Sequence, residues 1–271
     1  MKNTYDCEPT LNDTQVLDFC KKGFLLLKGV VPDSVNRRAF AFLDEYPSDT
    51  PSEILQERWF FENVICCPKA VGAIRSLLGR EFRLPGGMNN HRVECPALVG
   101  GWHIDSGGDG AAVYGPEFDM LQVFYYPQDA PLEMGPTEVL PGSHCLFCSQ
   151  AHMQHYKKIR GAVSTAAPAG SIFITIWGIW HRRTASTASG TRNLLKYEYS
   201  RTVPPTRDWI QQPKFEVSHA KSSPPGLKFH REHHRTINDA AEMFYWLCGQ
   251  KSEYHAGKKP MEIRKSGFLL R

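Results

Sequence analysis

The sequence predicts a single mixed domain, mainly β, with helices ahead of and around an antiparallel sandwich or barrel. Three observations carry that expectation. Hydrophobic residues make up 41% of the 271 residues and charged residues 22%, the balance of a globular chain able to bury one sizeable core. Between about Glu81 and Thr202, short apolar runs alternate with clusters of Gly, Pro and Ser, as in antiparallel β architectures. Upstream of residue 80, apolar residues recur instead at helical spacing. The chain therefore divides into a helical N-terminal support over 1–80, a β core over 81–203 and a C-terminal extension or lid over 204–271.

The elements follow in order. Leu11-Asn12-Asp13-Thr14 supplies helix N-cap residues, and Val16, Leu17, Phe19 and Cys20 form the apolar face behind them. Gly23 ends that helix, and Phe24 to Lys28 is a short buried strand. Pro32-Asp33-Ser34 opens a second helix running through Leu43. Pro47 to Ser52 is a turn-rich loop, and Ile65 to Leu78 reads as a third helix. Leu121–Tyr126, Thr137–Leu140, Ser171–Trp180 and Asn193–Arg201 read as strands. After Pro204-Pro205 the chain turns polar and basic, with a further helix over Asn238–Leu247.

Several function classes lack support. A net charge of +4 is too small to direct the protein to nucleic acid or an anionic membrane. No apolar run has the length of a membrane span, and the first residues lack a signal-peptide pattern, so a cytoplasmic location is the expectation. The eight cysteines are scattered and read as reduced thiols. Cys145-Leu146-Phe147-Cys148 has zinc or redox spacing but no second pair to complete a site. His230, His233 and His234 read as a solvated basic stretch, and their order does not fit a zinc-protease motif. No phosphate-binding glycine loop or serine-hydrolase elbow is present.

The chemistry gathers on a few residues. His103-Ile104-Asp105, if extended, places the imidazole and the carboxylate on one face. His181 closes the apolar run Ser171–Trp180 and can supply a third ligand. Two histidines and one carboxylate on one face leave octahedral positions open, the arrangement of non-haem Fe(II) oxygenases. Arg192 follows a small polar stretch, Thr184–Thr191, with loop composition. A guanidinium returning there can grip a distal carboxylate with two parallel bonds. Gln122 is expected to point a polar group into the barrel. A zinc-dependent hydrolase using the same ligands, and a non-catalytic small-molecule binder on the same fold, are the rival readings. Zinc would leave Arg192 without a role.

Taken together, these segments resemble the phytanoyl-CoA dioxygenase (PhyH) family of Fe(II)/2-oxoglutarate-dependent oxygenases. The resemblance covers residues 11–203. It rests on Trp102-His103-Ile104-Asp105, on Gly135-Pro136 leading to Pro141-Gly142-Ser143-His144, on His181 with Arg192 eleven residues later, and on the opening Leu11–Val31. It implies a double-stranded β-helix, or jelly-roll, core with helices packed on one sheet. It implies iron on His103, Asp105 and His181, 2-oxoglutarate held by Arg192, and Met88 lining the cosubstrate. Dioxygen is the co-reactant. Two departures stand out. Arg183 occupies the position two after the distal histidine, where relatives often carry a small hydroxyl residue that helps hold the cosubstrate. Thr184 beside it is the alternative hydroxyl. Met134-Gly135 replaces the usual Asn-Gly.

The resemblance therefore implies oxidation, with hydroxylation favoured over halogenation because Asp105 is retained. Succinate and CO2 are the expected by-products and a small-molecule metabolite, as in secondary metabolism, the expected substrate. The protein is expected to act as a monomer or homodimer. Trp59, Phe60, Phe61, Tyr114, Phe118 and Trp209 are aromatic residues suited either to a substrate pocket or to the core.

Overall fold

The computed structural model describes residues 5–105, 116–146, 153–217 and 230–250, with side chains described from 238 in the last segment. Helix α1 spans Asp13–Lys22. Its first turn is closed by a capping box, in which the Asn12 side chain accepts from the Gln15 N–H at 3.0 Å and the Gln15 side chain accepts from the Asn12 N–H at 3.0 Å. Gly23 ends the helix with φ 79°, a left-handed conformation that glycine adopts without strain.

Strand β1 (Phe24–Leu27) and helix α2 (Asp33–Glu45) follow as the sequence suggests. Helix α3 starts later than expected, at Pro68 rather than Ile65, and runs to Leu78. Proline fits the first helical position because its missing N–H would have no partner there, and it biases the preceding residue away from helix. Cys67 is accordingly extended in ψ, at 117°. Residues Phe61–Ile65 form a separate wide turn.

The β core comprises β2 (Phe82–Arg83), β3 (Asn89–Asn90), β4 (Val93–Cys95), β5 (Met120–Tyr125), β6 (Thr137–Val139), β7 (Val163–Ser164), β8 (Ile172–Ile176), β9 (His181–Arg183), β10 (Gly190–Arg192) and β11 (Leu195–Arg201). The large sheet has the order β1-β8-β5-β11-β2, with β3 also on β11. Two smaller sheets are β7-β6-β9 and β4-β10, and every ladder is antiparallel. The apolar run from Ser171 to Trp180 thus serves two sheets. It leaves the large sheet after Ile176, turns at Trp177-Gly178 and delivers His181 to the small sheet.

Register explains how both faces of the large sheet are buried. One row aligns Leu25, Ile174, Val123 and Tyr197, which pack into the main core beneath the helices. The adjacent row aligns Leu26, Phe173, Phe124 and Lys196. Its Phe173 and Phe124 meet Tyr126, Val139 and Ile179 in a second cluster between the sheets. Side chains alternate across a strand, so the helical layer and the interior between the sheets are fixed by the same backbone.

Helix α4 spans His230–Leu247, eight residues further toward the N-terminus than the sequence suggested, and its apolar side chains Ala240, Ala241, Met243, Phe244 and Leu247 join the main core. The histidine cluster of that stretch lies outside the described side chains, as does Tyr114. Trp59, Phe60, Phe61, Phe118 and Trp209 all pack in or against the main core, away from the inter-sheet space. Among the described residues no helix is long and apolar enough to cross a membrane.

Candidate metal centre

His103 lies outside the regular strands, but it forms an antiparallel bridge with His181, each backbone N–H donating to the other's carbonyl at 3.0 Å. The bridge brings the imidazoles to a 4.4 Å centroid separation. Asp105, two residues on, faces both rings. Its Oδ1 lies 3.7 Å from His103 Nε2 and its Oδ2 lies 3.5 Å from His181 Nε2. One ligand atom from each of the three residues falls within 4.8 Å of the others.

The ring orientations are set by the backbone. His103 Nδ1 sits 2.9 Å from the Gly101 carbonyl, and His181 Nδ1 sits 3.0 Å from the Ile179 carbonyl. A carbonyl only accepts, so each Nδ1 carries the proton and each Nε2 presents a lone pair toward Asp105. His181 Nε2 is buried with no hydrogen-bond partner. Burial pushes the His181 pKa down to about 4, against the pull of Asp105, so the ring is neutral near pH 7. Two lone pairs and a carboxylate facing one another are mutually repulsive unless a cation sits among them. That donor set fits a metal ion.

Asp105 is held as an anion. Burial alone would raise its pKa, but the nearby His181 and Lys196 and hydrogen bonds from Lys196 and Gln122 outweigh it, leaving the carboxyl well below its usual range. Gln122 Nε2 and Lys196 Nζ both donate to Oδ2 at 2.7 Å. Oδ1 is left as the freer ligand atom. Gln122 comes from the middle of β5 and is fully buried, with its Oε1 unpartnered. Lys196 comes from β11, and its ammonium also lies 5.4 Å from the Trp177 ring centroid.

Arg192 ends β10, which pairs with β4 and not with β9. Its Nη1 donates to the Gly135 carbonyl, and its Nε is buried without a partner. Among the described residues no carboxylate lies within ion-pair distance of it. Burial, then the neighbouring Arg183, lowers its pKa. A guanidinium only 3% exposed and lacking a counter-ion is costly.

His91 links the two parts of the site. Its pKa is pushed down to about 4, first by burial and then by Lys196, with Asp105, His181 and Arg192 also acting on it. The metal triad and Arg192 therefore border one electrostatic neighbourhood.

The remaining sequence candidates fall differently. Thr184 donates its hydroxyl to the Pro136 carbonyl at 2.8 Å. Met88 is buried just before β3, where its N–H donates to Ser52 Oγ at 3.1 Å, and it belongs to the main core. Sequence reasoning passed over Lys196 and His91. The signal for Lys196 is its place in Leu195-Lys196-Tyr197-Glu198-Tyr199, where the polar positions of the alternation face the inter-sheet space. No comparable pattern marks His91. The segment Pro141-Gly142-Ser143-His144 has a scaffolding role: Ser143 Oγ accepts from the Trp180 N–H at 2.8 Å, one residue before His181. Of the Cys145–Cys148 pair, Cys148 lies outside the described residues.

No family model and no curated protein matches this sequence. Solved structures do match the fold. HygX from Streptomyces hygroscopicus, determined with nickel and 2-oxoglutarate bound, superposes with a TM-score of 0.58 at 14% identity, covering 79% of this chain and 96% of its own. The non-haem α-ketoglutarate-dependent carbocyclase SnoK of nogalamycin biosynthesis gives 0.56 at 16% identity, covering 80% and 94%. The epimerase SnoN, in complex with Fe3+, α-ketoglutarate and nogalamycin RO, gives 0.55 at 13%, covering 77% and 91%. At these identities the likeness establishes the fold, a mixed architecture of helices and antiparallel sheets.

Proposed function

We propose that this chain is an Fe(II)- and 2-oxoglutarate-dependent dioxygenase of the PhyH type. Its reaction is oxidation of a C–H bond in a small-molecule metabolite, hydroxylation being the simplest outcome, with release of succinate and CO2. The observation that carries this reading is the pairing of two incomplete sites. The donor set of His103, Asp105 and His181 suits a cation, and Arg192, buried with no carboxylate beside it among the described residues, suits an anion. A metal-chelating dicarboxylate satisfies both at once. The iron and 2-oxoglutarate of the HygX and SnoN structures support the same assignment. A zinc hydrolase would leave Arg192 buried and uncompensated.

In this reading the large sheet and the two smaller ones together form a double-stranded β-helix around the site. His103, Asp105 and His181 hold the iron, and Arg192 holds the distal carboxylate of 2-oxoglutarate. Bound together, metal and cosubstrate supply dioxygen activation coupled to decarboxylation. The chain's own residues do the rest. Gln122 and Lys196 fix Asp105 Oδ2, so the carboxylate offers Oδ1 to the metal in one orientation. The Gly101 and Ile179 carbonyls keep both Nε2 atoms unprotonated. Phe124, Phe173 and Ile179 keep the inner wall apolar and exclude water. Thr184 stands at the cosubstrate's edge in this reading, its hydroxyl oxygen still able to accept a bond, while Met88 belongs to the main core. A soluble cytoplasmic monomer or homodimer accompanies this reading.

The test is anaerobic addition of Fe(II) and 2-oxoglutarate. A weak visible charge-transfer band is expected, and Arg192→Ala should weaken cosubstrate binding without removing the metal. Absence of the band, or a band titrating identically in the variant, overturns the assignment.

A further inference from the structure

Arg192 is not the only cation near the site without a side-chain partner among the described residues; the half-buried Arg183 is another. Strand β9 alternates. His181 and Arg183 share one face, while Arg182 lies on the other. Arg182 is fully employed there: its Nε and Nη2 both reach Glu138 Oε2 at 2.8 Å, and its guanidinium stacks 4.7 Å from the Trp102 ring centroid. Arg183, on the metal-ligand face, has neither a side-chain hydrogen bond nor an ion pair among the described residues.

The two arginines meet across one short stretch of chain, Gly135-Pro136-Thr137. Arg192 donates to the Gly135 carbonyl. Thr184 grips the Pro136 carbonyl through both its backbone N–H, at 3.1 Å, and its hydroxyl, at 2.8 Å. Thr137 is the cross-strand partner of Arg183 itself. Arg192 also feels the positive charge of Arg183, which places the guanidiniums within mutual influence. Among the described residues, the acids on the strands paired to β9 and β10 are committed elsewhere: Glu138 to Arg182, and Glu94 to Arg92 and Thr191. Two like charges of this kind repel without an anion between them.

We propose that Arg183 is the second cation of the cosubstrate clamp, so that the distal carboxylate of 2-oxoglutarate lies between Arg192 and Arg183. This rests on the oxygenase reading above and adds to it a residue that sets selectivity for a dicarboxylic 2-oxo acid. A lone arginine offers one pair of parallel bonds to a carboxylate. A second guanidinium on another strand engages the remaining lone pairs and fixes the rotation of the carboxylate plane.

The experiment compares two ligands on the Fe(II)-loaded protein under anaerobic conditions, with the charge-transfer band as readout. One ligand is 2-oxoglutarate. The other is 2-oxovalerate, of equal chain length with a methyl group where the distal carboxylate stands. Arg183→Met keeps most of the aliphatic stem and removes the charge. It should raise the dissociation constant for 2-oxoglutarate about tenfold while leaving that for 2-oxovalerate within about twofold. Arg183→Lys should fall between, as a point charge without the fork. An unchanged 2-oxoglutarate constant in Arg183→Met overturns the proposal. So does an equal loss for both acids, which would place the effect at the metal end or in the fold. Failure of the underlying reading looks different: the wild-type protein itself would give no band, or would not prefer 2-oxoglutarate over 2-oxovalerate.

Discussion

Two buried charges in this molecule are treated in opposite ways. Asp13, at the start of α1, is fully buried and saturated. Its carboxylate accepts from Arg207 Nε at 3.1 Å, from Arg207 Nη2, from Trp209 Nε1 at 2.7 Å and from the Gln212 N–H at 2.6 Å. Arg192 is almost as deeply buried, yet among the described residues it has one carbonyl and no counter-ion. The first cluster is closed and holds the fold together. The second is open and is stable only because the surrounding fold imposes it. Saturation separates a structural charge from one that awaits a ligand, and the two should respond to mutation with opposite signs.

The largest expected effect is at Asp13. Asp13→Ala strands the Arg207 charge and the Trp209 donor, costing about 3–5 kcal/mol of folding stability. For a chain of this size that is a drop of roughly 10 °C in thermal midpoint. Arg192→Met should leave the midpoint of the metal-free protein unchanged or raised, since it removes an uncompensated buried charge. Differential scanning calorimetry of both variants breaks the comparison if Arg192→Met proves as damaging as Asp13→Ala.

Next comes His144, which burial pushes down to about 4 while its Nε2 reaches the Cys20 carbonyl at 3.1 Å. Its folded pKa lies below the unfolded value, so its contribution is complete above about pH 6.5 and is lost as pH falls toward 4. The linked loss amounts to about 3 kcal/mol across that window. His91 and His181 act in the same direction. Urea unfolding at pH 7, 6 and 5 should therefore show a steep decline in the wild type and a shallower one in His144→Gln. Equal slopes would show that His144 takes up protons alike in the folded and unfolded states.

The smallest effect is expected at Gln122. Gln122→Leu removes one of two donors to Asp105 Oδ2 and leaves Lys196 to hold it. Metal affinity should fall about 10- to 100-fold, with little change in the midpoint of the metal-free protein. Titration with Fe(II) or Ni(II) measures this directly, and an unchanged affinity would show that Lys196 suffices alone.

The same contrast governs what the sequence could reveal. Local features were legible: the N-cap at Asn12, the Gly23 stop, the strand that contains residue 122, and the spacing that brings His103 and Asp105 to one face. Arg192 could be singled out because it follows a loop closing two strands, although those strands belong to different sheets. Lys196 was missed because a lysine in an alternating strand ordinarily faces water, whereas this sheet is covered on both sides. The Asp13 clamp was not legible at all. Its partners lie 194 to 199 residues away, and no local pattern encodes that pairing.

That separation bears on how the chain acquires its shape during synthesis. Strand β1 pairs with β8, residues 172–176, and Asp13 is satisfied only when residues 207–212 arrive. At roughly 5–20 residues per second, the Asp13 carboxylate waits on the order of ten to forty seconds for the segment that saturates it. Helix α1 is thus made long before the residues that lock its first turn. A ribosome-bound chain halted before residue 207 would lack the groups that saturate Asp13, and would leave to water a carboxylate that the folded protein conceals.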